Sequence, residues 1–243
     1  RYPVLALTSE MNDTMIDRTS QMNISHQRLF APVTKATFRL SGENAGEVIA
    51  NSLKLCLHEY PGPVHIGLPV GLADMESGFT GHKQDFHYAT ESSGDRTEVI
   101  RIISRAERPL LAVGLTAARL GLQQKLIDFL STHQIPVVIT PMAKGILPEN
   151  HRCYAGVLFH ALSDRLDEII SRSDLVIGLG YDPVEFNYES WMPDIPLVHF
   201  GTRVTDMPAS LRNLQYISDQ RQWFELLNSL EPREQADDMR SVQ

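Results

Sequence analysis

Small and polar residues follow several apolar runs in the second half of the sequence, and their types suggest ligand binding. Glycine lets backbone amides approach a diphosphate closely, so glycines at strand ends are typical of nucleotide sites. The candidate cofactor-binding residues are Gly114, Thr140, Gly178, Gly180 and Asp182. Asp182 and Glu185 could reach a ligand from the same edge, or they could cap the following helix. The glycines could equally well serve only to form tight turns.

Motifs that would assign a common reaction are absent from the sequence. It contains neither G-x-G-x-x-G nor G-x-x-x-x-G-K-[ST], which disfavours an ordinary NAD dehydrogenase and a P-loop NTPase. It also lacks G-x-S-x-G, so His160 is interpreted as a core or boundary histidine and not as a hydrolase base.

Histidine and cysteine are the candidate metal ligands. His82 and His87 lie in a polar stretch, and His151 precedes Cys153 by two residues. No matched third and fourth ligands accompany either pair, so the sequence predicts no metal site.

The elements that position these residues begin near Asp95, where Asp95 and Glu98 have the spacing of a capping box. From there apolar runs alternate with amphipathic segments. The predicted strands are Leu110–Val113, Val137–Thr140, Leu175–Leu179, Leu197–Phe200 and Gln215–Ile217. The predicted helices after the first are Gln123–Thr132, Asp164–Ser171 and one that starts at Asp219. Continuous apolar strands alternating with helices predict a doubly wound, Rossmann-like parallel sheet of the α/β class.

A smaller α/β segment precedes this domain. Val4–Thr8 and Val64–Leu68 have the composition of short parallel strands, and Val4–Thr8 is expected to be buried. A helix between them is predicted to start at Ser41 as N-cap. Its apolar face comprises Ala45, Val48, Ile49, Leu53, Cys56 and Leu57.

Composition shifts set the domain boundaries. Residues 1–69 form the first segment, 70–94 a linker without apolar periodicity, 95–231 the second domain and 232–243 a frayed polar tail. The chain begins on Arg1 and enters a strand at once. We therefore expect that it is a fragment of a longer protein.

Charge and cysteine content exclude several classes of protein. The formal net charge of −8 disfavours a nucleic-acid partner. The longest uncharged stretch, Phe129–Ala143, contains two prolines and is shorter than the roughly 18 apolar residues of a membrane span. Cys56 and Cys153 cannot form a disulfide framework, which predicts a reducing cytoplasmic location.

Several segments together resemble the thiamine diphosphate enzymes of the acetolactate synthase group, most closely the flavin-independent catabolic type. The matching segments are Pro32–Lys35, Pro61–Pro69, Pro136–Thr140, Ala143–His151, Tyr154–Gly156 and Ser173–Glu185. They occur in the family's order and cover nearly all of the chain. The resemblance implies the end of a pyrimidine-binding domain followed by the family's central domain.

The resemblance also implies thiamine diphosphate and Mg²⁺ as cofactors of the complete enzyme. The family's activating Glu lies in the early pyrimidine domain, and its metal motif, G-D-G with a later Asn, lies in a third domain. Neither motif occurs in these 243 residues, so no catalytic residue is predicted here and the chain alone is expected to be inactive.

Two residues are candidates for the substrate channel by the same resemblance. Glu10 follows Thr8 and Ser9 where the family has Thr-Gly-Gln, and Lys35 matches a lysine after Val-Thr, although it could simply be solvated. A carboxylate in place of an amide beside an anionic 2-oxo acid argues against an acetolactate synthase substrate. FAD is disfavoured, because Tyr181–Pro183 stands where flavin relatives carry an arginine and an acidic pair.

The first hypothesis is therefore a structural fragment of a thiamine diphosphate enzyme acting on 2-oxo acids, which forms a homodimer or homotetramer as the full protein. The alternative is a non-catalytic nucleotide-binding or subunit-interface module on the same fold.

Overall fold

The computed structural model describes residues 1–21, 23–76, 92–159 and 164–234, without the side chains of residues 164 and 165. The chain divides into two compact units, Arg1–Ala89 (unit 1) and Thr90–Gln243 (unit 2). The division falls inside the predicted linker, whose exact bounds stay a prediction. His82, His87, His160 and residues 235–243 lie outside the described residues.

Unit 1 is built on a three-stranded parallel sheet. Its elements are β1 (Val4–Glu10), α1 (His26–Phe30), β2 (Thr37–Arg39), α2 (Ala45–Leu57) and β3 (Pro63–Pro69). The spatial order is β1-β3-β2, so β3 lies in the middle and its Val64 and Ile66 are fully buried.

Two predictions about unit 1 are wrong. β1 is an edge strand rather than a buried one, with Leu7 57% exposed, because only β3 pairs with it. The helix begins at Ala45 and not after Ser41, since the Asn44 side chain accepts a hydrogen bond from Ser41 N (2.8 Å) in the preceding turn.

The predicted inward face of α2 is also largely exposed. The exposed members are Ile49, Leu53 and Leu57, whereas the buried residues of the helix are Ser52 and Cys56. Cys56 lies against the sheet, where its Sγ is 3.1 Å from Val4 O. The narrow sheet covers only this side of the helix.

Unit 2 contains a six-stranded parallel sheet in the order β6-β5-β4-β7-β8-β9. Its strands are β4 (Pro109–Val113), β5 (Val137–Ile139), β6 (Tyr154–Val157), β7 (Leu175–Leu179), β8 (Leu197–Gly201) and β9 (Asn213–Ile217). Its helices are α3 (Arg96–Arg105), α4 (Leu115–Arg119), α5 (Gln123–Thr132), α6 (Asp164–Arg172) and α7 (Gln220–Leu227). The order reverses between β4 and β7, as in doubly wound folds.

Helices cover both faces of this sheet, which explains why its central strands are continuously apolar. One core contains Leu126, Phe129 and Trp223, and the other contains Ile169 and Trp191. The predicted doubly wound α/β fold is confirmed.

The aspartates that the sequence predicts at the starts of the first and last helices of unit 2 cap those helices. The Asp95 side chain accepts hydrogen bonds from Thr97 N and Glu98 N, and Asp219 accepts one from Arg221 N. Arg233, at the start of the predicted tail, is packed rather than frayed, because its backbone bonds to the end of α5.

Among the described residues, no helix has the length and apolarity needed to cross a membrane.

Candidate functional site

The carboxyl ends of β4, β5 and β7 meet at the edge where the sequence predicts a cofactor site, and a carboxylate of the chain occupies it. Glu185 accepts hydrogen bonds from Thr140 Oγ1 (2.7 Å), Met142 N (2.8 Å) and Leu115 N (3.3 Å). These donors are of the type that a phosphate group would use. In this structure they bind Glu185.

The glycines at this edge bring two backbone segments together. Thr116 N and Ala117 N donate to Gly180 O at 3.0 and 3.3 Å. A Cβ added at Gly180 would lie 2.5 Å from Ala117 N, and one at Gly114 would lie 2.5 Å from the Cα of Tyr181. The amides of Thr116 and Ala117 are therefore bonded to Gly180 O in this structure.

Asp182 belongs to this contact, since its N would lie 3.1 Å from a Cβ added at Gly114 and its O accepts a hydrogen bond from Glu185 N (3.1 Å). Gly178 lies apart from it. Gly178 is on β7 directly beneath the hydroxyl of Tyr188, which stacks on Tyr181 with ring centroids 4.3 Å apart. Burial raises the pKa of Tyr181, whose hydroxyl accepts a hydrogen bond from Trp191 Nε1 (3.0 Å). Asp182 is buried and accepts a hydrogen bond from Val184 N (3.1 Å), so it closes a turn. The structure thus brings Gly114, Thr140, Gly180 and Asp182 together at this edge, beside Glu185.

A second polar cluster lies in unit 1, beside the central strand of its sheet, β3. It consists of Glu10 at the end of β1, His26 at the start of α1 and His65 on β3. One ligand-type atom from each of these residues lies within 4.8 Å of the other two. Glu10 and His65 are buried and His26 is partly exposed.

Hydroxyl groups connect the two imidazoles of this cluster. Thr8 Oγ1 lies 2.7 Å from His26 Nδ1 and 2.8 Å from His65 Nε2. Thr37 Oγ1 lies 2.7 Å from His65 Nδ1, and the Phe30 ring stacks on His65 at 4.1 Å. One hydroxyl has a single proton, so Thr8 donates to one ring and accepts from the other. Burial lowers the pKa of His65, against an opposing influence of Glu10, so its ring is neutral at pH 7.

The Glu10 carboxylate is held by two donors. Gln27 Nε2 donates to one oxygen (2.6 Å) and Arg39 Nε to the other (3.0 Å). Arg39 also bonds to Asp13 Oδ1 (2.5 Å). Gly67 on β3 leaves the space that the carboxylate fills, since a Cβ there would collide with it.

Lys35, the other predicted substrate-channel residue, lies elsewhere. Its Nζ donates to the carbonyls of Leu55 (2.6 Å) and His58 (2.8 Å) at the end of α2. Its backbone N bonds to Pro63 O, whereas Glu10 pairs with Pro69 at the opposite end of β3. The structure does not bring Glu10 and Lys35 together.

Sequence reasoning missed the two histidines of the cluster. His65 interrupts an otherwise apolar strand, and a polar residue in a buried run is a signal that could have identified it. His26 carries no such signal, because it lies in a polar stretch and meets His65 only through the fold.

The second unit can also be compared with known proteins. Residues 96–225, more than half of the chain, match the family described as "Thiamine pyrophosphate enzyme, central domain". The chain belongs to this family. The matched residues run from the start of α3 into α7 and so include all six strands of the unit 2 sheet.

Acetolactate synthases and a pyruvate decarboxylase are among the curated proteins that the chain is similar to. The chain is 25% identical over 222 residues to a probable acetolactate synthase large subunit of Methanocaldococcus jannaschii, covering 86% of this chain and 38% of that protein. It is 25% identical over 210 residues to the acetolactate synthase large subunit of Corynebacterium glutamicum, covering 81% and 33%. A pyruvate decarboxylase of Candida albicans is 26% identical over 171 residues, covering 68% and 30%. The chain therefore spans about a third of the length of these relatives.

Solved structures of the same kind share the fold. Benzoylformate decarboxylase from Polynucleobacter necessarius superposes with a TM-score of 0.75 at 21% identity, covering 97% of this chain and 46% of that one. A 4-hydroxybenzoylformate decarboxylase of Rhodococcus jostii gives 0.73 at 20% identity, covering 96% and 46%. The resemblance to the acetolactate synthase group is thus confirmed.

Proposed function

We propose that this chain is part of a thiamine diphosphate-dependent enzyme that acts on 2-oxo acids, with decarboxylation or carboligation as its reaction. The observation that carries the proposal is the match of residues 96–225 to the family's central domain. Acetolactate synthases and a pyruvate decarboxylase among the relatives support a 2-oxo acid substrate.

Within such an enzyme the chain contributes scaffold rather than cofactor chemistry. The sequence carries no G-D-G motif to hold Mg²⁺ and the diphosphate, so its residues do not fit thiamine diphosphate on their own. The strand-end donors of unit 2 are bonded to Glu185 and Gly180, which supports a central domain without FAD. We infer Mg²⁺, a cytoplasmic location and a homodimeric or homotetrameric assembly for the complete protein.

Glu10 remains the substrate-channel candidate, and its surroundings remove the electrostatic objection to an anionic substrate. Its charge is partly balanced by Arg39 at 3.0 Å, which also pairs with Asp13, and both Glu10 oxygens already accept hydrogen bonds. A compensated carboxylate repels a 2-oxo acid much less than a bare one would.

The test is an assay of the protein encoded by the complete reading frame. Pyruvate, 2-oxobutyrate and benzoylformate are supplied with and without thiamine diphosphate and Mg²⁺, and substrate loss, CO₂ and products are measured. We expect cofactor-dependent consumption of at least one 2-oxo acid. Consumption of none, together with no binding of thiamine diphosphate, would contradict the proposal.

The alternative of a nucleotide-binding module is tested by calorimetry on the 243-residue chain with FAD, ADP and NAD. We expect no tight binding, since Glu185 and Gly180 already use the donors at the edge. Thiamine diphosphate with Mg²⁺ is titrated in parallel; tight binding and turnover by this chain would show that the scaffold role is wrong.

A further inference from the structure

We propose that Glu10, His26 and His65 form a binding site for a divalent transition metal, with Zn²⁺ as the ion that fits the donor set best. Two imidazoles and one carboxylate are a common ligand set for zinc with an open fourth position. The three residues come from β1, α1 and β3, and the parallel register of β1 with β3 places Glu10 and His65 on the same face of the unit 1 sheet.

The distances allow the three side chains to bind one ion. Their ligand atoms lie within 4.8 Å of one another, while tetrahedral zinc with bonds of about 2.0–2.2 Å needs separations of about 3.4 Å. The atoms therefore have to approach by no more than about 1.5 Å, within the reach of side-chain rotation. Both ring nitrogens converge on the Thr8 hydroxyl oxygen at 2.7 and 2.8 Å, so an ion would replace these two hydrogen bonds and the Thr8 hydroxyl would rotate away.

Two of the three proposed ligands, His65 and Glu10, already have hydrogen-bond partners that orient them. A bond from His65 Nδ1 to Thr37 Oγ1 places the lone pair on Nε2, where a metal would replace the hydroxyl of Thr8 as its partner. The Glu10 carboxylate is fixed by Gln27 and Arg39, and each of its oxygens retains a further lone pair. Such outer partners are typical of metal ligands in proteins.

Charge and access also favour a cation. Glu10 and Asp13 each carry a negative charge and both pair with Arg39, which carries one positive charge. These three side chains therefore have a net charge of −1 beside the histidines. The partial exposure of His26 gives an ion a route to the buried Glu10 and His65. All three ligands lie outside residues 96–225, whose family match carries the proposed function. Only Glu10 is shared with that proposal, as its substrate-channel candidate, and metal binding is measured without substrate.

The experiment is a titration of the 243-residue chain with Zn²⁺ by calorimetry and with Co²⁺ by visible absorption. We expect one ion per chain and a tetrahedral Co²⁺ spectrum. His26→Gln and His65→Gln should each lower the affinity by more than about a hundredfold, and Thr37→Val, which keeps all three ligands, by about ten- to a hundredfold. His58→Gln is the matched control, because it removes a histidine of unit 1 outside the cluster and should leave the affinity unchanged.

His65 is fully buried, so its variant could unfold unit 1; the decisive variant is then His26→Gln, at a partly exposed position. Absence of binding by the unmodified chain would overturn the proposal. So would an octahedral Co²⁺ spectrum, or equal affinity of the unmodified chain and His26→Gln.

Discussion

The carboxylate of Glu185 pairs with several hydrogen-bond donors at one edge of the unit 2 sheet. It accepts hydrogen bonds from Thr140 Oγ1, Met142 N and Leu115 N, which connects β5, the turn after it and the start of α4. Without it, three donors at this edge would have to find water or remain unpaired.

Glu185→Ala should therefore lower the free energy of unfolding of unit 2 by about 1–3 kcal/mol. Both tryptophans of the chain, Trp191 and Trp223, lie in unit 2, so their fluorescence during urea denaturation follows this unit. Glu189→Ala, at an exposed position, is the control and should change stability by less than about 0.5 kcal/mol. Equal effects of the two variants would show that the three bonds contribute nothing.

His199 makes the stability of unit 2 depend on pH. Burial lowers its pKa to about 4 from an ordinary 6.5, against a small opposing influence of Asp182. Its ring nitrogens lie 2.9 Å from Tyr188 Oη and 3.2 Å from Thr205 Oγ1. Between pH 6.5 and 4, His199 is protonated in the unfolded chain but neutral in the folded chain. Its effect on the free energy of unfolding is therefore absent above pH 6.5, and unit 2 loses stability as the pH falls from 6.5 towards 4.

Lowering the pH from 7 to 5 should therefore reduce the stability of unit 2 by about 2 kcal/mol through His199 alone. The measurement is tryptophan-detected urea denaturation at both pH values. His199→Gln removes the titrating group, and the loss between pH 7 and 5 should shrink by that amount. An unchanged loss in the variant would show that His199 does not titrate as its burial requires.

At the scale of elements, the contact between β7 and α4 depends on a glycine. Gly180 has φ +53°, and its missing side chain allows Ala117 N to approach its carbonyl. Gly121, just after α4, has a similar φ of +66° but no atom within 4 Å of an added Cβ. Substitutions at the two positions therefore distinguish the cost of the left-handed backbone from the cost of a close contact.

Gly121→Ala should cost about 1–2 kcal/mol from the left-handed backbone alone. Gly180→Ala should cost about 1–3 kcal/mol more, because the added Cβ would lie 2.5 Å from Ala117 N. Tryptophan-detected denaturation of both variants measures the difference. If the two variants were equally stable, the approach of β7 and α4 would not need the glycine.

Elements with an uninterrupted apolar or amphipathic pattern could be predicted from the sequence, including the five-residue strand β7. The bounds of α5 and β7 agree with the predicted Gln123–Thr132 and Leu175–Leu179. The short elements β2, β6, α1 and α4 were not predicted, because three to five residues carry too little periodicity to identify them. The inward face of α2 was wrong because burial depends on how much sheet lies beneath the helix, which the sequence of the helix does not show.

Only part of the candidate site could be predicted, because its residues are far apart in the sequence and meet only in the folded chain. Glu10 was found through its resemblance to a family position, but His26, His65 and Thr8 are brought together from positions up to 57 residues apart by the β1–β3 pairing. Likewise, the strand-end glycines of unit 2 were recognised, but a loop carboxylate, Glu185, lies among the donors beside them. Distances of this kind depend on tertiary structure.

At the scale of the whole molecule, the two units differ in how completely they bury apolar side chains. Most exposed large apolar residues in the described part of the chain belong to unit 1, including Tyr2 (67%), Leu57 (66%) and Val33 (65%). In unit 2 the strands β4, β7 and β8 are buried along their whole length. Unit 1 therefore has less apolar burial to oppose its conformational entropy.

Hydrogen exchange of the 243-residue chain should show this difference. Amides of β1 and α2 should exchange at least about tenfold faster than those of β4 and β7, because a difference of about 1.4 kcal/mol in opening free energy gives a factor of ten. Mass spectrometry of peptides from both units, with the denatured chain as reference for intrinsic rates, makes the measurement. β3, the central strand of unit 1, should be protected better than β1, since it pairs on both sides. Uniform protection across the two units would mean that the exposed apolar side chains of unit 1 do not weaken its fold.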